Sequence, residues 1–172
     1  MTKGAADMAS MSQLTMAMVT LYSGDPKRVQ HFMKVYAFAK MIAEEEQIGS
    51  KQREIIEAAA LVHDIGIHAA EKKYHSAAGE YQELEGRPVA RAMLMALEFS
   101  PAVTNRVCEL VAHHHSYDTI DDVDLQILVE ADFIVNAYED GLPKRSIKSF
   151  RDKIFQTETG IHYLNEIFSL AS

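Results

Sequence analysis

Of the eight histidines in this 172-residue chain, the one that matters most begins the pair His63-Asp64, in AALVHDIGIH. An imidazole and a carboxylate lie side by side directly after an apolar run. Buried together without a partner they would be costly, and a divalent cation would pair them. Further metal-capable groups lie on apolar stripes elsewhere. After Pro26, the positions His31, Val35, Phe38 and Ile42 recur at i, i+4, i+7 and i+11, so His31 faces a helical core. Ile56, Ala60 and His63 share a second stripe, and Val103, Val107, Leu110 and His114 a third. Leu125, Leu128, Val129, Asp132 and Val135 form a fourth, which turns the Asp132 carboxylate inward.

Each group has an ordinary reading taken alone. A single histidine on an apolar face is commonly a satisfied core residue, and an inward aspartate can cap a neighbouring helix. Four such groups from four separate helices would have to coincide, whereas one cation accounts for all of them. Neutral imidazole and carboxylate suit iron, manganese, zinc, nickel or cobalt. The single cysteine, Cys108, offers no thiolate cluster and argues against a structural zinc site.

The elements that must hold these groups read as helix almost throughout. A Met-rich amphipathic helix is expected over about 8–22. Asp25 as N-cap and Pro26 in the first turn start a second helix, which runs to about Gln47 with Gly49 as its stop. The third runs from about Ser50 to Asp64 and ends at Gly66. The polar stretch IHAAEKKYHSAAGEY reads as looser. A fourth helix is expected over Arg87 to Phe99, a fifth from Ser100-Pro101 to His113, and a sixth over Asp122 to Tyr138. Residues 146–169 form closing helices with a break at Gly160. ILVEADFIV has the β-branched content of a strand, but its apolar spacing favours helix. The chain therefore reads as one all-α domain over 1–172, a bundle of six to eight helices with its core at about 25–140.

Composition narrows the partners. Hydrophobic residues make up 48% and charged residues 24%, which is ordinary for a globular domain. No run of apolar residues is long enough to span a membrane, and the N-terminus lacks a signal-type apolar core. One cysteine fits a reducing compartment, so a cytoplasmic location is expected. A net charge of −8 argues against binding duplex nucleic acid but not against a small phosphorylated substrate. The Met-rich first helix is a surface on which a second copy could pack, giving a homo-oligomer.

The order His31 … His63-Asp64 … Asp132 resembles the HD-domain superfamily of metal-dependent phosphohydrolases. The resemblance runs from about Arg28 to Tyr138 and includes VQHFMKVYAFAKMIAEE, AALVHDIGIH, VCELVAHHHS and ILVEADFIVNAYED. It implies an all-α bundle with a central site in which His31, His63, Asp64 and Asp132 ligate one metal. Some members hold a second ion through extra histidines. His113 and His114 match that pair, and His75, or instead Glu83 or Glu85, matches an earlier ligand. The implied reaction is hydrolysis of a phosphomonoester or phosphodiester on a small nucleotide-like molecule, with Asp64 orienting or deprotonating the attacking water. Lys72, Lys73, Arg87 and Arg91 are the candidates to hold phosphate charge.

Departures are equally visible. Ile67 stands where some members carry a reactive Lys or Glu, leaving His68 as the nearby titratable group. HHHSYDTIDD replaces the Gly-Tyr-Pro signature of the branch that cleaves cyclic-di-GMP, so that activity is not expected. His115 and His162 read as surface residues, and Glu44 to Glu46 and Asp121-Asp122 as solvated helix ends. Two other readings share the resemblance: a di-iron oxygenase, and a non-catalytic metal-stabilised module that binds a nucleotide or a partner protein.

Overall fold

The computed structural model describes residues 10–170. Helix α1 (Met11–Leu21) opens with a capping box between Ser10 and Gln13 and buries Leu14 and Met18. Two residues of the expected span, Met8 and Ala9, lie outside the described residues. Helix α2 (Pro26–Glu45) starts as expected: the Asp25 carboxylate accepts from the Arg28 amide and Pro26 takes the first turn. It ends through Gln47 in the left-handed conformation, and Gly49 instead opens α3 (Ser50–Val62).

The looser stretch expected after His63-Asp64 is instead ordered. Ile67–Tyr74 forms a short helix, α4, and α5 (Gly79–Ala96) begins well before Arg87, carrying Pro88 inside it. Eight residues make a marginal helix alone, so docking must supply its stability. Glycines permit that docking. A Cβ on Gly66 would overlap the backbone of Gln82 and Gly86, and one on Gly86 would press Val111 Cγ1. Pro88 is tolerated because its face of α5 is exposed, where the unbonded carbonyl meets water.

Helix α6 (Pro101–His113) is capped by Ser100. A 3₁₀ turn (Tyr117–Thr119) then leads to α7 (Val123–Glu139). Nearly every residue of α7 is buried, which explains the strand-like run ILVEADFIV: a helix at the bundle centre is apolar all round. Helices α2, α3 and α9 pack around it. The closing pair is α8 (Lys144–Ile154) and α9 (Glu158–Phe168). Their break falls at Phe155–Thr157 rather than at Gly160. Gly160 sits in the first turn of α9, tight against the Glu130 carboxylate and Thr157. Among the described residues there is no strand, and no helix is long and apolar enough to cross a membrane.

Candidate metal centre

Helix α7 carries two inward carboxylates, and they are treated differently. Glu130 is fully buried and fully engaged. It accepts from Gln126 Nε2 at 2.6 Å, from the Gln156 and Thr157 amides at 2.7 and 3.0 Å, and from the Thr157 hydroxyl. It thereby ties the start of α9 to the core. Asp132, also buried, has its Oδ1 without a hydrogen-bond partner. Burying such an oxygen uncompensated costs several kcal/mol, on the order of 2–7 for an uncharged group and more for a charge.

What faces Asp132 Oδ1 is a ring of other acceptors. His31 Nε2 lies 3.2 Å away and His63 Nε2 3.4 Å away. The two imidazole nitrogens are 3.2 Å apart, and each is 3.4 Å from Asp64 Oδ2. The far ring nitrogens fix the tautomers. His63 Nδ1 donates to the Ala60 carbonyl at 2.8 Å, and His31 Nδ1 donates to Glu139 Oε2 at 2.8 Å. In the neutral rings both Nε2 lone pairs therefore point inward, with no proton between them. His31 Nε2, His63 Nε2 and Asp64 Oδ2 form one close group of lone-pair atoms from α2 and the α3 end, and Asp132 Oδ1 from α7 meets it at the two imidazoles. Atoms bound to one ion at about 2.1 Å stand roughly 3.0–3.4 Å from one another, so the donor set fits a divalent transition metal.

The electrostatics agree. Burial opposes a charge on His31 and His63, yet the neighbouring Asp64 and Asp132 carboxylates outweigh it and raise both imidazoles above their ordinary range. Both carboxylates are held below theirs: burial works against this, and the facing imidazoles prevail. The pocket selects positive charge.

A second group adjoins the first through Asp64. His114 Nε2 lies 3.4 Å from Asp64 Oδ1 and has no hydrogen-bond partner, while its Nδ1 donates to the Val111 carbonyl at 2.9 Å. The same tautomer logic aims its lone pair at Asp64. His115 completes a group in which one atom from each of Asp64, His114 and His115 lies within 4.8 Å of the others. The expectation that His115 is a surface residue is thus corrected. Its ring packs on His114 at 3.9 Å, and burial, then the His114 charge, push its pKa down to about 4.

The other expected residues fall elsewhere. His113 is exposed and borders a cleft with Arg87, Arg106 and Glu109. His75 is the exposed left-handed cap of α4. Glu83 accepts from the His115 amide at 2.9 Å, a supporting role, and Glu85 holds Lys73 Nζ and the Tyr74 hydroxyl at 2.8 and 2.9 Å. None of these four joins the second group. The proposed phosphate grips are likewise directed away: Lys73 to Glu85, Arg91 to Asn105 at 2.9 Å, Arg87 to the cleft beside His113; Lys72 is exposed.

Sequence reasoning passed over two supports. Glu139 anchors His31 and also binds Lys34 Nζ at 2.6 Å. It lies seven residues after Asp132, on the same face of α7, a spacing that would have found it. The Tyr22 hydroxyl donates to the Asp64 carbonyl at 2.7 Å and pins the turn after α3. Tyr22 in turn packs on His68, which bonds Asp25 at 3.1 Å. Nothing in the spacing of α1 announced that contact.

Access is uneven. The His63 side chain is closed to solvent and those of His31 and Asp132 nearly so, whereas Asp64 keeps 21% of its side chain open. The centre is most open to solvent at Asp64.

An all-α bundle with histidine and aspartate donors converging at its heart is the class of protein that fold and centre define. The chain matches the family model described as HD domain over residues 28–142 and belongs to that family, whose members bind divalent metals. Its fold is also that of a predicted HD superfamily hydrolase from an uncultured Thermotogales bacterium, whose crystal structure it matches with a TM-score of 0.67. Identity is 20%, covering 95% of this chain and 87% of that one. No curated protein matches the chain.

Proposed function

We propose that this chain is a metal-dependent phosphohydrolase acting on a small, nucleotide-like phosphate ester. His31, His63, Asp64 and Asp132 hold the first divalent cation, and Asp64 Oδ1, His114 and His115 hold a second. One observation carries the reading: the lone pairs of His31, His63 and His114 are turned by their anchored Nδ1 atoms onto Asp64 and Asp132, with no donor among them. Bound there, a divalent ion supplies hydroxide near neutral pH and offsets charge on phosphoryl oxygens.

The chain's own groups do the rest. Glu139 and the Ala60 and Val111 carbonyls keep the imidazoles in the ligating tautomer. Tyr22 holds the Asp64 backbone, so the most open carboxylate keeps its aim. That carboxylate is placed to orient the attacking water. The buried rings around it exclude bulk solvent, which strengthens every charge interaction inside.

Elemental analysis of protein purified without added metal, paired with phosphate release from a panel of nucleoside phosphates and phosphodiesters, tests this. Wild type is expected to hold metal and turn over; His63→Ala and Asp64→Ala are expected to lose both. Full occupancy and turnover in both variants would overturn the proposal. Oxygen uptake with a mixed-valent iron signal would assign the centre to oxygenase chemistry instead.

A further inference from the structure

Helix α8 is the basic element of an acidic chain: five of its eleven residues are Lys or Arg, against one carboxylate, Asp152. Asp152 is engaged by Arg151 at 2.9 Å, and Lys144 reaches the Ser169 carbonyl at 3.3 Å. Arg145, Lys148 and Lys153 are exposed, and among the described residues none of the three makes an ion pair or hydrogen bond. The reverse holds beside them. The segment between α6 and α7 brings Asp118, Asp121 and Asp122 to the surface, and Glu46 at the end of α2 lines the same hollow. Arg106 offsets Asp121, but Asp118 has no partner among the described residues.

The acidic hollow and the hollow along α8 share Tyr117, Lys153 and Ile154 in their linings. A basic strip and an acidic strip therefore stand edge to edge, with Tyr117, 38% exposed, on the seam. Opposite strips side by side are self-complementary. Turning a second copy about a two-fold axis through the seam lays each basic strip on the other copy's acidic strip. Each attraction then occurs twice, and like charges stay apart. An anionic lipid surface or an acidic peptide would meet the acidic strip as well as α8, so a surface carrying both signs fits this face better. Tyr is enriched where proteins meet, and Tyr117 offers an apolar body with a polar tip at the axis. The seam is also firm: Tyr117 meets Phe150 edge-on at 5.1 Å, and Phe150 stacks on Phe133 at 3.8 Å. A preformed surface loses little freedom on docking.

We propose that this face is the contact between two copies of the chain, in which Arg145 and Lys148 of each copy meet Asp118 and its acidic neighbours on the other. Assembly through this face is independent of the chemistry at the metal centre. Exposed charges supply the attraction, so the dimer is weak and salt-sensitive.

Sedimentation velocity from micromolar to submillimolar protein tests it, with Arg145→Glu/Lys148→Glu and Asp118→Lys as the charge-reversed chains and melting curves confirming that both fold. Wild type is expected to dimerise at low salt and to dissociate as salt rises. Each reversed chain alone is expected to associate about tenfold more weakly or worse, because reversal sets like charges opposite one another. Mixed, the two reversed chains are expected to recover association as a heterodimer, since each reversed strip then faces its opposite. A wild type that stays monomeric, dimers undiminished in both reversed chains, or no recovery on mixing overturns the proposal. A monomeric wild type that pellets with phosphatidylserine vesicles assigns α8 to a lipid surface instead. A dimer lost only in Met16→Ser/Leu21→Ser places the second copy on α1, and either result overturns the contact proposed.

Discussion

Replacing Glu139 with Gln isolates how the centre is aimed. Glu139 Oε2 accepts from His31 Nδ1 at 2.8 Å, and Gln can still accept that bond but without its charge. A hydrogen bond to a charged group contributes about 1.5–3 kcal/mol against about 0.5–1.5 for a neutral one, so roughly 1–1.5 kcal/mol of His31 basicity is removed. At about 1.4 kcal/mol per decade this weakens metal affinity roughly tenfold, within the ten- to hundredfold range for ligand-orienting carboxylates. Lys34 provides the control. It binds the other oxygen of Glu139 at 2.6 Å and is itself half-buried, so Lys34→Met leaves Glu139 charged and metal affinity undiminished. The assay is competition against a coloured chelator, with circular dichroism confirming the fold. Unchanged affinity in a folded Glu139→Gln protein would refute the argument that this carboxylate tunes His31.

Three further outcomes are expected. His114→Ala should halve the metal content by elemental analysis, because His114 belongs to the second group only; loss of all metal would mean the groups are not separable. Glu130→Ala should lower stability by about 3 kcal/mol or more, since several buried donors lose their acceptor, while metal content per folded chain is unchanged; thermal denaturation and elemental analysis check the two halves. Asp25 should mark the acid limb of stability. Burial works against its ionisation, but bonds from Arg28 and His68 hold its pKa at about 2, below its ordinary value of 3.8. Its contribution is therefore complete above pH 3.8 and vanishes as pH falls through about 2, so Asp25→Asn should flatten melting temperature against pH across that window.

His31, His63, Asp64 and Asp132 were legible in the sequence because helical phase is local. A polar residue on an apolar stripe must face the core, whatever the rest of the chain does, and His31 and Asp132 announced themselves from 101 positions apart. The capping signals at Asp25-Pro26 and Ser100-Pro101 were legible for the same reason: a helix start is chemistry within four residues. Glu139 was within reach of that logic.

The second group was legible only in part: His114 shares an inward stripe with Val103, Val107 and Leu110, but His113 was put beside it and His115 was read as a surface residue. In His113-His114-His115 each residue turns about 100° from the last, so the rotation of α6 about its axis decides which imidazole looks inward. That rotation is set by packing on α3 and α5. It sends His114 to Asp64, leaves His113 in solvent and folds His115 under the start of α5. Helix α4 was hidden likewise, since eight residues with two buried side chains carry too weak a period. It exists because Gly66 and Gly86 let its start lie against α5. The partners of Lys73 and Arg91 are tertiary facts too, for a surface cation is claimed by whichever carboxylate or amide the fold brings near. The sequence by itself determined which residues face inward along each helix; only the tertiary structure decided which inward faces meet, because meeting depends on helix rotation and close approach, set by contacts distant in the chain.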